Sequence, residues 1–331
     1  MTSFNRHIEN TIACYEYFHG LWLQLKRLLG ERRDQKLREQ REFKKICGAV
    51  ESIVEGTDAR LRGVCNYRNQ LRDGACGLLQ HIEGLVDSMP DPIRVDENAL
   101  VCDPMVRSIL SDTKTLNRLF VFNRHIQAFF NTANDAQQDV VFALLFLRYR
   151  EKRILGSEMH GEILMREVQQ TALSFYAHRL IAPSPSEETV RVEMIISLFE
   201  SVVRHIKNLM LQQKLQLMKQ QNDFLAASPE QNINNPEVYI RLLVEQLSIP
   251  ERLITRQDKL VRLNSMGIKL PLESDIPSNL LRLNEIQVGD RQSNLVSIIC
   301  YPKGGFSERI VADQVHLLAD EFRSESCQFP P

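Results

Sequence analysis

The densest set of metal-ligating residue types in the chain is Glu158, His160 and Glu162. Two carboxylates and an imidazole this close could hold a divalent metal if further ligands came from neighbouring elements. On a helix, Glu158 and Glu162 share a face and His160 points elsewhere. The three then read as carboxylates at a helix N-terminus, where the dipole favours negative charge. An enzyme with a metal site in a helical bundle is the alternative. His125 and His205 lie near apolar stripes and read as ordinary histidines bonded to a polar neighbour. Cys14, Cys47, Cys65, Cys76, Cys102, Cys300 and Cys327 include no Cys-x-x-Cys pair. Their odd number and scatter suit reduced thiols of a cytosolic protein, not a disulfide framework or a zinc site. The chain has no Gly-x-x-x-x-Gly-Lys-Ser/Thr loop, no Gly-x-Gly-x-x-Gly after a strand, no His-Glu-x-x-His and no Gly-x-Ser-x-Gly. No cofactor is called for.

A second set lies further along. Arg252 and Arg256 have Arg-x-x-x-Arg spacing, and Arg262, Asn264 and Gly267 fall on the positions of an Asp-x-Ser-x-x-Gly signature. Over residues 252–301 this pattern resembles that of PilZ domains. Arg262 stands where the family has Asp or Asn, Asn264 where it has Ser, and the two pieces lie closer together than in the family. The resemblance implies a small β-barrel, often with a trailing helix, that binds cyclic di-GMP. It marks Arg252, Arg256, Asn264 and Gly267 as candidates for binding an anionic ligand. The physical basis would be bidentate guanidinium contacts to phosphate and guanine. The bland alternative is that the arginines cover a domain seam, pairing with Glu245 or Glu251.

Stepping from these residues to the elements that carry them, the spacing predicts a long helix over 187–226. Ile195, Phe199, Val202, Ile206 and Leu209 repeat at heptad-like intervals on one stripe. Ser184, Pro185 and Glu187 suit its start as cap, first position and capping-box acid. Its length would be roughly 60 Å. A helix that long must lie along other helices or a second copy, and five glutamines at its far end suit a projecting, self-pairing tip.

The rest of the first 226 residues also reads as helical. A helix over 3–29 carries Tyr15, Phe18, Trp22, Leu25 and Leu29 on one stripe. A charged stretch over 31–45 reads as a solvated face rather than a nucleic-acid groove, because acids interleave its bases. A glycine-studded stripe over 46–88 suggests close helix contacts, with a break near Gly56. Asp103 and Pro104 open a short helix. Val140 to Ile154 is apolar nearly all round and reads as the most buried helix, and 157–181 as the next. A polar linker over 227–236 leads to strand-length runs bounded by turn clusters and a last helix over 307–322.

The expected fold is therefore mainly α. An elongated bundle or coiled-coil domain spans 1–226, and a small barrel-like β domain closed by a C-terminal helix spans 237–323. With 14 glycines, 13 prolines and a net charge of −1, the chain has few breakers and no bulk attraction for nucleic acid or anionic membrane. It shows no signal peptide, and its longest apolar run, Val140 to Leu147, is too short to span a bilayer. The function that fits is a non-enzymatic cytoplasmic regulatory or scaffold protein that self-associates or meets a protein partner through its helices. A cyclic-dinucleotide-binding module is the alternative.

Overall fold

The structure is a computed structural model that describes residues 40–110, 113–121, 123, 126, 128–129, 140–160, 163–223, 236–274, 276–290 and 293–302. The expected helices over 3–29 and 307–322, most of the 227–236 linker, and His125 lie outside the described residues.

Helices α1 to α5 precede the first long strand, and residues 126 and 128–129 are also helical. α1 covers 40–57 and ends just past Gly56. A 3-10 turn, Ala59–Gly63, leads to α2, Tyr67–Asp87. A short strand β1, Ile93–Arg94, precedes α3, Glu97–Cys102, α4, Pro104–Leu110, and α5, Thr113–Val121. Asp96 caps α3 by accepting from the Ala99 N–H at 2.7 Å, and Asp103 accepts from Met105 at 2.7 Å ahead of Pro104.

The chain then departs from the expected bundle. Val140–His160 is a 21-residue strand, β2, and Ile163–Ser184 a 22-residue strand, β3, paired antiparallel as one hairpin. α6, Glu187–Asp223, follows with 37 residues, then α7, Pro236–Leu247, and a single turn α8, Pro250–Leu253. Strands β4, Ile254–Leu263, β5, Lys269–Leu270, β6, Asn279–Val288, and β7, Asn294–Pro302, complete the described chain.

All seven strands form one sheet in the order β3-β2-β7-β6-β4-β5, with β1 parallel to β7. The sheet nearly closes into a barrel. Ala172 on β3 bridges Ile268 beside β5, and the Leu173 N–H donates to the Gly267 carbonyl at 2.9 Å. The mainly-α reading, and the bundle and coiled coil it implied, are thus corrected. Strands from the supposed helical half bond directly to the C-terminal strands: Val140–Leu147 runs antiparallel to Leu295–Pro302.

The reason lies in how β2 is buried. Val141, Ala143, Leu145 and Leu147 face a core filled by α3, α4 and α5. Phe142, Leu144 and Phe146 face a second core built with α1, α2, α6 and α7. A strand buried on both faces shows no polar alternation and reads as an unbroken apolar run. α6 lies in the helical layer, with Val190, Met194, Val202 and Ile206 fully buried. Most of its stripe therefore packs on its own chain.

β3 carries three bulges. The register against β2 slips between Phe142 and Leu144, Phe146 and Arg148, and Gly156 and Glu158. At each slip β3 holds the extra residue, and Ala182, Ala177 and Glu167 there have φ of 52°, 55° and 60°. Bulges of this kind bend a strand and raise its twist, which is how a long hairpin wraps a barrel at one end and leaves it at the other.

Candidate functional site

Among the sequence candidates, Glu158 and His160 lie on β2 near the hairpin tip, and Glu162 lies outside the described residues. The helix N-terminus reading is corrected, since this stretch is strand. Among the described residues no group of three or more His, Cys, Asp or Glu could hold a metal ion. His205 is buried in the helical layer against the Gly289 turn.

Arg252 is exposed on α8, while Arg256 starts a network on β4. The Arg256 guanidinium, 8% exposed, donates to Asp258 at 2.7 and 3.0 Å and to the Asn284 side-chain oxygen at 3.1 Å. It also donates to Ser88 Oγ at 2.5 Å and the Leu85 carbonyl at 3.4 Å. Arg256 thereby ties the end of α2 to strands β4 and β6. Its acid partner is Asp258, which it shares with Arg282 at 2.5 Å. Burial works to raise the Asp258 pKa, but the bonds from Arg282 and Arg256 hold it below the usual aspartate value. Asn264 and Gly267 form one tight turn after β4. The Asn264 side chain accepts from Met266 and Ile268, both at 2.9 Å, and Gly267 takes φ +75°, a conformation glycine adopts freely.

Where β7 runs out, a second polar cluster joins three strands. Tyr149 on β2 donates to Glu285 on β6 at 2.5 Å, and Lys259 on β4 donates to the Tyr149 oxygen at 2.6 Å. Ser293 donates to the other Glu285 oxygen at 3.3 Å. Burial, then the bond to Glu285, pushes the Tyr149 phenol up, and the bond to Tyr149 raises Lys259. A base or nucleophile needs the opposite shifts. The cluster therefore reads as a bolt between strands. Arg148 to Asn294 at 2.9 Å and Lys269 to Glu151 at 2.7 Å add to it.

Beyond this bolt the hairpin loses its neighbours among the described strands one side at a time. From Arg148 outward β2 has lost β7, and from Thr171 outward β3 has no second neighbour among the described strands. From Arg153, opposite Thr171, to His160 there are seven residue steps, which at about 3.3 Å make a two-stranded ribbon roughly 23 Å long. Leu155 is 68% exposed, Ile163 70%, Leu164 51% and Met165 49%. Arg148, Arg150, Lys152, Arg153 and Arg166 interleave with Glu151 and Glu167.

A groove of about 880 Å³ lies on the opposite layer, between α1, α2 and α6. Ala49, Leu79, Ile195, Phe199 and Val203 form its apolar floor, and Glu55, Glu83, Glu200 and Arg204 stand at its rim. Neither the ribbon nor the bolt is marked by a motif. The available signal was the aromatic and β-branched content from Val168 to Tyr176, which fits a strand as well as a helix.

Comparison of the chain with family models, curated proteins and solved structures finds no match.

Proposed function

We propose that this is a non-enzymatic scaffold or regulatory protein that self-associates through the β2–β3 ribbon. The observation that carries this reading is a pair of strand edges that have no partner strand among the described residues and bear Leu155, Ile163, Leu164 and Met165 in solvent. Unpaired edges offer rows of N–H and C=O groups to another chain, and soluble proteins normally cover or charge them. A barrel core could be built without extending the hairpin past β7. A second copy is the occupant that fits best. A two-fold axis would set one ribbon against the same ribbon of its partner, and a net charge of −1 brings no bulk repulsion between copies. The mixed charges along the ribbon suit such pairing better than they suit a phosphate backbone.

The setting we propose is cytoplasmic. Cys47, Cys65, Cys76, Cys102 and Cys300 are free thiols, and no helix among the described residues is long and apolar enough to cross a membrane. Multi-angle light scattering tests the reading. A dimer or larger species at tens of micromolar is expected, and a strict monomer over that range would end it.

A further inference from the structure

We propose that the root of the β2–β3 hairpin carries a docking face for single-stranded nucleic acid. Taken along the chain, the hairpin's charges are mixed, but taken by face they are sorted. Phe142, Leu144 and Phe146 point to the core built with α1, α2, α6 and α7. Strand alternation carries Arg148, Arg150 and Lys152 onto that same side, where all three are exposed. β3 adds Arg179 opposite Phe146 and Tyr176 opposite Arg148. On the other side lie Tyr149, Glu151 and Arg153, where Tyr149 meets Glu285 and Glu151 meets Lys269 at 2.7 Å.

The basic side has cations and no acids to match them. Arg148 donates to the Asn294 side-chain oxygen at 2.9 Å and Arg150 to Ser174 Oγ at 3.3 Å, both neutral partners. Among the described residues, none of Arg148, Arg150, Lys152 and Arg179 pairs with a carboxylate. Like charges gathered on one face repel one another, a cost that a bound polyanion removes. Spacing and an aromatic ring select the polyanion. Same-face positions on a strand repeat every ~6.6 Å, so Arg148, Arg150 and Lys152 make a row of cations about 13 Å long. A row of that length suits consecutive backbone phosphates better than one isolated anion. Tyr176 lies within the row, 37% exposed, with the Arg150 guanidinium 6.0 Å from its ring centroid. A ring flanked by cations is a platform for an unpaired base, and an acidic peptide has no use for it. A duplex keeps its bases stacked inside, so the partner that uses both features is a single strand. The face is the flat of the two strands rather than their edges, so it does not depend on self-association.

Fluorescence anisotropy of a labelled oligothymidylate, titrated with the full-length protein, tests this. Wild type is expected to bind, with log K falling against log salt at a slope of about −2 to −3, as three to four phosphate contacts require. Arg150→Ala with Lys152→Ala should weaken binding at least tenfold at about 50 mM salt and flatten the slope by about 1.4. Tyr176→Leu should weaken binding and leave the slope as it is. Arg153→Ala removes the same charge from the opposite side and should bind as wild type. Lys152→Glu alone, at an exposed position, keeps the test readable should the double variant fold poorly, and it too should lose at least tenfold. No anisotropy change at tens of micromolar wild-type protein in about 50 mM salt would overturn the proposal. So would an equal loss from Arg153→Ala, which would make the attraction one of bulk charge. Displacement of the oligonucleotide by polyglutamate at equal charge concentration would assign the face to an acidic protein and overturn the nucleic-acid partner.

Discussion

Arg256 shows how a residue with ligand-binding chemistry can be absorbed by the fold. Its donors reach Asp258, Asn284, Ser88 and the Leu85 carbonyl, across the contact between α2 and the sheet. Asn284 is buried and Asp258 is partly so, so truncation leaves polar groups short of a partner. Arg256→Ala should cost about 2–4 kcal/mol in urea unfolding with no ligand present. Arg252→Ala, at an exposed position, should change stability by less than about 0.5 kcal/mol. Equal, negligible effects from both would remove the seam role. Asp258 adds a pH signature. Its folded pKa is lowered, so its contribution is full above the unfolded aspartate value and is lost as pH falls through the folded one. Asp258→Asn should therefore flatten the acid limb of stability against pH, and an unchanged limb would assign it to other carboxylates. The two arginines and the Asn264–Gly267 turn were legible in the sequence as types and spacing. Pairing across a seam was among the readings, with Glu245 or Glu251 as partner; that Arg256 instead pairs with Asp258, Ser88 and Asn284 was not legible, because Ser88 and Asn284 approach it only through the fold.

At the scale of elements, the long helix and the Asp103 cap could be read from periodicity and local capping chemistry. β2 and β3 could not. A run such as Val140 to Leu147 has no polar face to set a period when both its sides are buried. The scarcity of glycine misled for a related reason. Two strands of more than twenty residues need only one turn between them, and the bulges of β3 place Ala177, Ala182 and Glu167 in the left-handed region without glycine. This yields a paired prediction. Ala177→Gly and Ala182→Gly relieve the left-handed penalty and should stabilise by up to about 1 kcal/mol. Gly289→Ala should do the reverse. Its φ is +57°, and a Cβ there would meet the His205 ring at 2.0 Å. A loss of at least about 2 kcal/mol is expected in thermal unfolding. A neutral Gly289→Ala would mean that the turn and His205 are not packed as described.

Over the whole molecule, one barrel-like sheet gathers strands from both sides of α6 and α7, and each face of it has its own helical cover. Tyr149, Lys259 and Glu285 tie β2, β4 and β6 together where β7 runs out, and past Arg153 and Thr171 the ribbon has no further partner strand among the described residues. Tyr149→Phe removes one donor from Glu285 but leaves Lys259 and Ser293, so a loss of about 1–2 kcal/mol is expected. Association should persist, because the contact surface lies further out. Both the ribbon and the far part of α6 offer exposed leucines, Leu155 and Leu164 on one and Leu211 and Leu215 on the other. Sedimentation velocity on two variants separates them. Leu155→Lys, Ile163→Lys and Leu164→Lys together should convert the associated wild type to a folded monomer, while Leu211→Lys with Leu215→Lys should sediment as wild type. Association that survives the ribbon substitutions and is lost with the α6 pair would contradict the assignment of self-association to the ribbon.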